Sequence, residues 1–173
     1  MILILSTSLN PDSKSRLLAH EAARVLAAEG VAAEVLDLRE HPLPLCDGGS
    51  AYADPEVGRV QARLAAADAL IVATPIYNYD GSAALKNLIE LTGSAWENKP
   101  VAFLCAAGGK SSYMSVMALA NSLMLDFRCL IVPRFVYAEA EDFADDRVSN
   151  PEQVRRVEQL TRATVRLTKL PPA

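Results

Sequence analysis

One stretch constrains this chain more than any other: Ala69 to Leu91, ALIVATPIYNYDGSAALKNLIEL. It opens on a continuous apolar run, Ala69 to Ala73, of the kind that forms a strand buried on both faces in a parallel sheet. Pro75 has no backbone N–H and holds Thr74 extended, so the strand is expected to stop at Thr74-Pro75. A polar, aromatic turn follows, Ile76 to Ser82. A helical pattern comes next, with Leu85, Leu88, Ile89 and Leu91 on one side. The turn therefore lies at the carboxyl end of a central strand. Open α/β sheets bind ligands there, where the strand order reverses.

The rest of the chain repeats the same alternation. Ile2 to Leu5 form a first strand, followed by the loop STSLNPDSKS and a helix from about Ser13 to Glu29, with Gly30 as its stop. Strand two is Ala33 to Leu38. A Pro- and Gly-rich connection leads to Asp54-Pro55-Glu56, a helix start with Asp54 as cap and Pro55 at the first position, and that helix ends near Ala67. After the central stretch come strand four, Val101 to Ala106, the loop AAGGKSS, and a Met- and Leu-rich helix from about Tyr113 to Leu125. Strand five is Leu130 to Phe135, and an acidic loop spans Ala138 to Asn150. A last helix runs from about Pro151 to Leu170, ended by Pro171-Pro172. With right-handed crossovers, these alternations give an α/β three-layer sandwich, a five-stranded parallel sheet with helices on both faces, and 2-1-3-4-5 is the preferred order, which the alternation by itself does not fix. The 173 residues are expected to form one domain, residues 1–173.

Composition excludes several classes. A net charge of −4 argues against a nucleic-acid-binding surface. No apolar run is long enough to span a membrane, and the uncharged start MILILSTSLN reads as a strand, not a signal peptide. A cytoplasmic location is the expectation. Cys46, Cys105 and Cys129 are widely spaced, as are His20 and His41, so no metal site is expected. Cys105 and Cys129 lie in apolar runs and read as core thiols. Neither histidine falls in the loops after strands one, three and four, which leaves no hydrolytic constellation. Asp80 reads as a turn residue.

Those three loops carry the chemistry. In the first, Ser6, Thr7, Ser8, Ser13 and Ser15 flank the amino end of a helix, where free N–H groups and the dipole favour an anion. The pattern fits a terminal phosphate held by neutral donors, with Lys14 adding charge, and it equally fits an ordinary helix cap. It contains neither GxGxxG nor a GKS/T run, which argues against a nicotinamide-dehydrogenase fold and against nucleoside triphosphate hydrolysis. In the second loop, Pro75, Ile76 and Tyr77 form an apolar ledge. The backbone of Tyr77 to Tyr79 and the Asn78 amide can bond the edge of a flat ring, unless the tyrosines only pack on neighbouring loops. Lys86 and Asn87 follow, Asn87 either touching a ligand or tying loop to helix. In the third loop, Gly108-Gly109 permits close backbone approach to a ring, or simply a tight turn. A sparse inventory of acids and bases suits redox chemistry carried by a bound ring.

At these residues the chain resembles the NADPH-dependent FMN reductase family, flavodoxin-like oxidoreductases that include quinone, azo-dye and chromate reductases. The likeness covers about residues 1 to 137. Its strongest element is TPIYNYDGSAALKNLIE, similar to the family's T-P-E-Y-N segment and following L-K-N; AADALIVA, the Leu43 to Leu45 segment and STSLNPDSKSRLLA also match. The resemblance implies that Ser8, Ser13 and Ser15 hold the FMN phosphate, with Asn10 also among the cofactor-binding residues. It implies that Pro75, Ile76, Tyr77, Asn78 and Tyr79 line the isoalloxazine, and that Ala107, Gly108 and Gly109 meet its pyrimidine end. It further implies NADPH or NADH as electron donor, a small-molecule acceptor such as a quinone, ping-pong alternation of the two substrates, and a homodimer, possibly a tetramer. The chain departs from the pattern at Thr7 in place of Gly, Asn10 in place of Arg, Ile76 in place of Glu, and Ala83-Ala84 where a Pro-Gly pair is usual. Ser111-Ser112 stands where a second Gly pair is frequent. Tyr52, Trp96 and Tyr137 are candidates to complete the pocket. The apolar helix SYMSVMALANSLMLDF independently suggests either a subunit contact or deep burial. Two alternatives stand beside the reductase: an electron-carrying flavodoxin, and a non-catalytic flavodoxin-like binding module.

Overall fold

The computed structural model describes residues 1–169. The sheet is built from β1 (Ile2–Ser6), β2 (Ala33–Asp37), β3 (Ala69–Tyr77), β4 (Pro100–Ala106), β5 (Leu130–Ile131) and β6 (Val136–Ala138). Its order is β2-β1-β3-β4, with β5 and β6 both pairing the far side of β4, all in parallel. Counting β5 and β6 as two halves of one strand, this is the expected 2-1-3-4-5 flavodoxin-like sandwich. The reversal falls between β1 and β3, in register Ile2↔Ala69 through Ser6↔Ala73.

Strand alternation sorts the core into two layers. Leu70, Val72, Val101 and Phe103 face α2 (Pro55–Ala66), α3 (Ala83–Thr92) and α4 (Met117–Phe127). Ile71, Ala73, Ala102 and Leu104 face α1 (Lys14–Ala28) and α5 (Pro151–Leu167), where Leu18, Ala22, Leu26, Val157 and Leu160 meet them. A strand sandwiched in this way has no wet face, which is why β3 and β4 read as unbroken apolar runs. The helix starts follow their capping residues. Ser13 Oγ accepts from Arg16 N, and Asp54 caps α2 with Pro55 in its first turn.

Four boundaries differ from the sequence expectation, each for a local reason. β3 does not stop at Pro75 but continues to Tyr77. The Ala73 carbonyl accepts from Thr7 N, so Ala73 and, two residues on, Pro75 present their backbone toward β1. β1 has already ended there, and the missing proline N–H breaks no ladder bond. The fifth strand is split because Pro133 interrupts it: Arg134 N turns back onto the Val132 carbonyl at 2.8 Å, and pairing resumes at Val136. α4 starts at Met117, not Tyr113, because Met114 sits at φ 69°, which a right-handed helix cannot pass through. The acidic segment is ordered, with a helical turn at Ala140–Asp142 and a hairpin pairing Phe143–Ala144 with Arg147–Val148. The expected helix end at Leu170 and the stop at Pro171-Pro172 lie outside the described residues; α5 is helical to Leu167. Among the described residues no helix is long and apolar enough to cross a membrane.

Candidate functional site

The loop after β1 is braced before any ligand is considered. Thr7 stays on β3, donating through both its N–H and its hydroxyl to the Ala73 carbonyl. Ser8 Oγ then accepts from Asn10 N at 3.3 Å, and Asn10 Oδ1 from Asp12 N at 2.9 Å, two local turns that lead the chain to the α1 cap. Asn10 therefore spends its carboxamide oxygen on the loop itself. Behind the loop, the Arg16 guanidinium donates to the Asn10 and Pro11 carbonyls and lies 3.8 Å from Asp37. At the helix start Ser13 and Ser15 are buried, their hydroxyls 2.9 Å apart.

The second loop is a tight hairpin. Ile76 pairs with Gly81 and Tyr77 with Asp80, leaving Asn78 and Tyr79 as a two-residue turn with φ of 50° and 64°. Positive φ at both positions defines the type I′ turn, which matches the twist of the flanking strands. Ile76 is buried beneath the turn while Tyr77 and Tyr79 are exposed. A Cβ at Gly81 would come within 2.6 Å of Leu119 Cδ1, so a larger residue there requires that side chain to move. Ser82 then caps α3 by accepting from Leu85 N.

The third loop begins at Ala107, whose N–H donates to the Ala138 carbonyl. The Gly109 carbonyl accepts from Tyr137 Oη at 2.7 Å, and Ser112 also bonds that phenol. Tyr113 packs edge-on against Tyr137 at 5.6 Å between ring centroids. Tyr79 Oη reaches Ser111 Oγ at 3.3 Å, joining the second loop to the third.

The three loops converge on one cleft of about 260 Å³. Of the residues expected at the site, Ser8, Asn10, Ser13, Ser15, Pro75, Ile76, Tyr77, Ala107 and Gly108 line it. Asn78, Tyr79 and Gly109 do not; they belong to the turn and to the loop brace just described. Asp12, Lys14, Ala106, Glu139, Ala140 and Phe143 line it as well. Lys14 brings the added charge expected there, and its Nζ lies 5.8 Å from the centre of the Phe143 ring. Glu139 and Phe143 carried no signal in the sequence. They are delivered by a segment organised around the buried Asp142 carboxylate, which accepts from Glu139 N, Asn150 Nδ2 and Gln153 Nε2.

The outlying candidates resolve differently. Trp96 is fully buried, its Nε1 donating to Thr92 Oγ1, so it cannot contribute to the cleft. Tyr52 sits over Cys46, whose Sγ is 3.5 Å from the phenol oxygen, and the contact raises the phenol above its ordinary range. Tyr137 supports the third loop from behind. Asn87 ties loop to helix, donating to the Pro44 carbonyl and accepting from Cys46 N. Cys105 and Cys129 are core thiols, pushed up to about 12 and about 11 by burial.

Residues 1–143 match the family described as NADPH-dependent FMN reductase. An NAD(P)H-dependent FMN reductase of Pseudomonas aeruginosa is 34% identical over 150 residues, which is 83% of this chain and 80% of that protein. An NAD(P)H-dependent FAD/FMN reductase of Geobacillus thermodenitrificans is 29% identical over 131 residues, 73% of this chain and 70% of that one. Among solved structures, the fold is shared with FerB, a flavoenzyme NAD(P)H:(acceptor) oxidoreductase from Paracoccus denitrificans. The TM-score is 0.79 at 22% identity, covering 97% of this chain and 96% of that one.

Proposed function

The chain belongs to the NADPH-dependent FMN reductase family, and from that premise we propose that this flavin-dependent oxidoreductase takes hydride from a reduced nicotinamide and delivers electrons to a quinone-like or other small acceptor. The observation that carries the reading is the single cleft in which a hydroxyl-lined helix start and an apolar ledge meet.

The residues present fit FMN. A phosphate monoester needs donors, and one end of the cleft supplies the Ser8, Ser13 and Ser15 hydroxyls, the amino end of α1 and the Lys14 ammonium. The two carboxylates nearby are compatible with that role. Glu139 is engaged by the backbone of its own helical turn, and Asp12 is exposed. The other end offers Pro75, Ile76 and Ala106 to Gly108, an apolar ledge with open backbone above it. A Cβ added at Gly108 would meet no atom within 4 Å, so the space over that peptide is free.

When bound, FMN supplies two-electron acceptance and donation, which no side chain of the cleft provides. The protein's part is to bind and orient. The first loop would hold the phosphate and the ledge would support the ring, next to the hairpin and third loop, which are joined at Tyr79 and Ser111. Donor and acceptor would then use the same cleft in turn, which is the basis for the ping-pong kinetics proposed. No acid or base in the chain has to be assigned to the transfer.

A homodimer is part of the proposal. Met117, Met124 and Leu125 of α4, with Met114 before it, are exposed apolar side chains on one stretch of surface. A second copy would cover them beside the third loop. Cytoplasmic residence, with reduced cysteines, completes the reading.

The test is a visible spectrum of the purified chain before and after anaerobic NADPH, then NADH. Flavin bands that bleach support the reductase and identify its donor. A colourless chain that does not take up added FMN overturns the cofactor assignment.

A further inference from the structure

A second cavity, about 500 Å³, lies on the α2–α3 side of the sheet and is not the flavin cleft. Its walls are apolar: Leu9, Leu38, Leu43 and Leu45, with the start of α3 at Ala83 and Ala84. Leu9 and Leu45 are 62% and 81% exposed, an unfavourable amount of leucine surface for water to cover in one concavity. The two sites meet at one residue, since Ser8 and Asn10, on either side of Leu9, line the flavin cleft.

The walls are held in place without an occupant. Asn87 pins the Pro44 carbonyl and the Cys46 amide from α3. His41 is fixed from α2: its Nδ1 is 2.6 Å from Glu56 Oε1 and its Nε2 2.7 Å from Arg63 Nη1. Arginine can only donate, so Nε2 accepts and Nδ1–H donates to Glu56. Both ring nitrogens and both Asn87 carboxamide groups are thereby committed. The one uncommitted charged group on the lining is the Arg39 guanidinium, which has no hydrogen-bond or ion-pair partner among the described residues; only the Arg39 amide is engaged, by Asp37.

A preformed apolar concavity of this size, with one free cation at its edge, has the attributes of a small-molecule site. We propose that it binds a compact aromatic monoanion, a carboxylate or sulfonate of up to three rings, with the rings against the leucines and the anion on Arg39. The site is independent of FMN, and its occupant is placed against the loop that carries Ser8.

The experiment is titration calorimetry of the full chain, with and without FMN, using anilinonaphthalene sulfonate and its uncharged parent anilinonaphthalene. The expected result is saturable binding of one sulfonate per chain. Arg39→Gln weakens the sulfonate by roughly tenfold, the size of a lost charge-assisted hydrogen bond, and leaves the uncharged parent unchanged. Ala84→Phe, which fills the cavity, abolishes both, and Leu45→Asp does the same from a position too exposed to disturb the core. Absence of saturable heat overturns the proposal, as does binding indifferent to all three substitutions. So does a sedimentation mass showing that a second chain fills the cavity, a dimer that Ala84→Phe splits. FMN content, read by absorbance in the same samples, reports separately on the flavin assignment.

Discussion

Ser82 Oγ donates to the Thr7 carbonyl over 3.2 Å, tying the loop after β1 to the first residue before α3. The same hydroxyl accepts from Leu85 N, while Ser82 N donates to Thr74 Oγ1. One buried side chain thus closes the gap between the phosphate end and the ring end of the cleft without lining it. Ser82→Ala removes both the cap and the bond to Thr7 and leaves a buried carbonyl short of a partner. The expected cost is about 2 kcal/mol in urea unfolding, together with weaker FMN binding in a fluorescence titration.

Ser15 is fully buried at the start of α1 and does not cap it; Ser13 does. Ser15→Ala is therefore expected to keep the cap while losing the buried bond to the Ser13 hydroxyl, at a cost of about 1 kcal/mol. If its hydroxyl serves the phosphate, FMN affinity falls by roughly tenfold, and riboflavin, which lacks the phosphate, binds the variant and the parent alike. Equal losses for both ligands would place Ser15 outside the phosphate site.

Tyr79 occupies the second position of a type I′ turn at φ 64°, where glycine is the favoured residue. A bulky side chain there costs about 1–2 kcal/mol, offset in part by its bond to Ser111. Tyr79→Gly is expected to leave thermal stability equal or raise it by about 0.5 kcal/mol, with FMN content unchanged. A fall in FMN content would show that the phenol, and not only the turn, serves the site.

Thiol labelling distinguishes the three cysteines. Burial pushes Cys105 up to about 12 and Cys129 up to about 11, so neither forms thiolate near neutrality in the native chain. Cys46 is half-exposed. Iodoacetamide on the folded protein is expected to modify Cys46 alone, read by peptide mass, and all three after denaturation.

Acid titration carries a definite sign. Hydrogen bonds from Arg155, then Arg156, hold the Glu152 carboxyl down at about 2, from an ordinary value of 4.5. A depressed carboxylate stabilises the fold above its unfolded value, and that contribution is lost as pH falls through the folded one. The melting-temperature difference between the parent and Glu152→Gln is therefore expected to be constant at about pH 6 and above, and to shrink between pH 4.5 and about 2.

Much of the site was legible because its signals are local. An apolar run against a polar turn marks the end of a buried strand, and hydroxyls before a helix mark its amino end. From these, β1, β4, the buried run of β3 and the cap at Asp54 follow without coordinates, whereas the sheet order is only one that the alternation permits and Ser13 or Asp12 could equally cap α1. Asn10 lies at the cleft as its position in the motif implies, yet its local bond to Asp12 N depends on how the loop closes.

What the tertiary structure alone decided are the contacts between segments distant in sequence. Pro75 stops a strand only if its missing N–H faces a partner, and whether β1 is still present on that side is settled by where β1 ends. Glu139 and Phe143 reach the cleft because Asp142 folds their segment back on α5, and no pattern in an acidic loop encodes that direction. Trp96 joins the core and not the pocket because the turn after α3 points it inward. The second cavity is shaped by an irregular loop that Asn87 fixes to α3 at Cys46 and Glu56 fixes to α2 at His41, at separations of 41 and 15 residues in the chain. Local chemistry determines which residues can bind a phosphate or end a strand. Packing determines which surfaces they are given to face, since burial and pairing are shared between elements that the chain brings together only on folding.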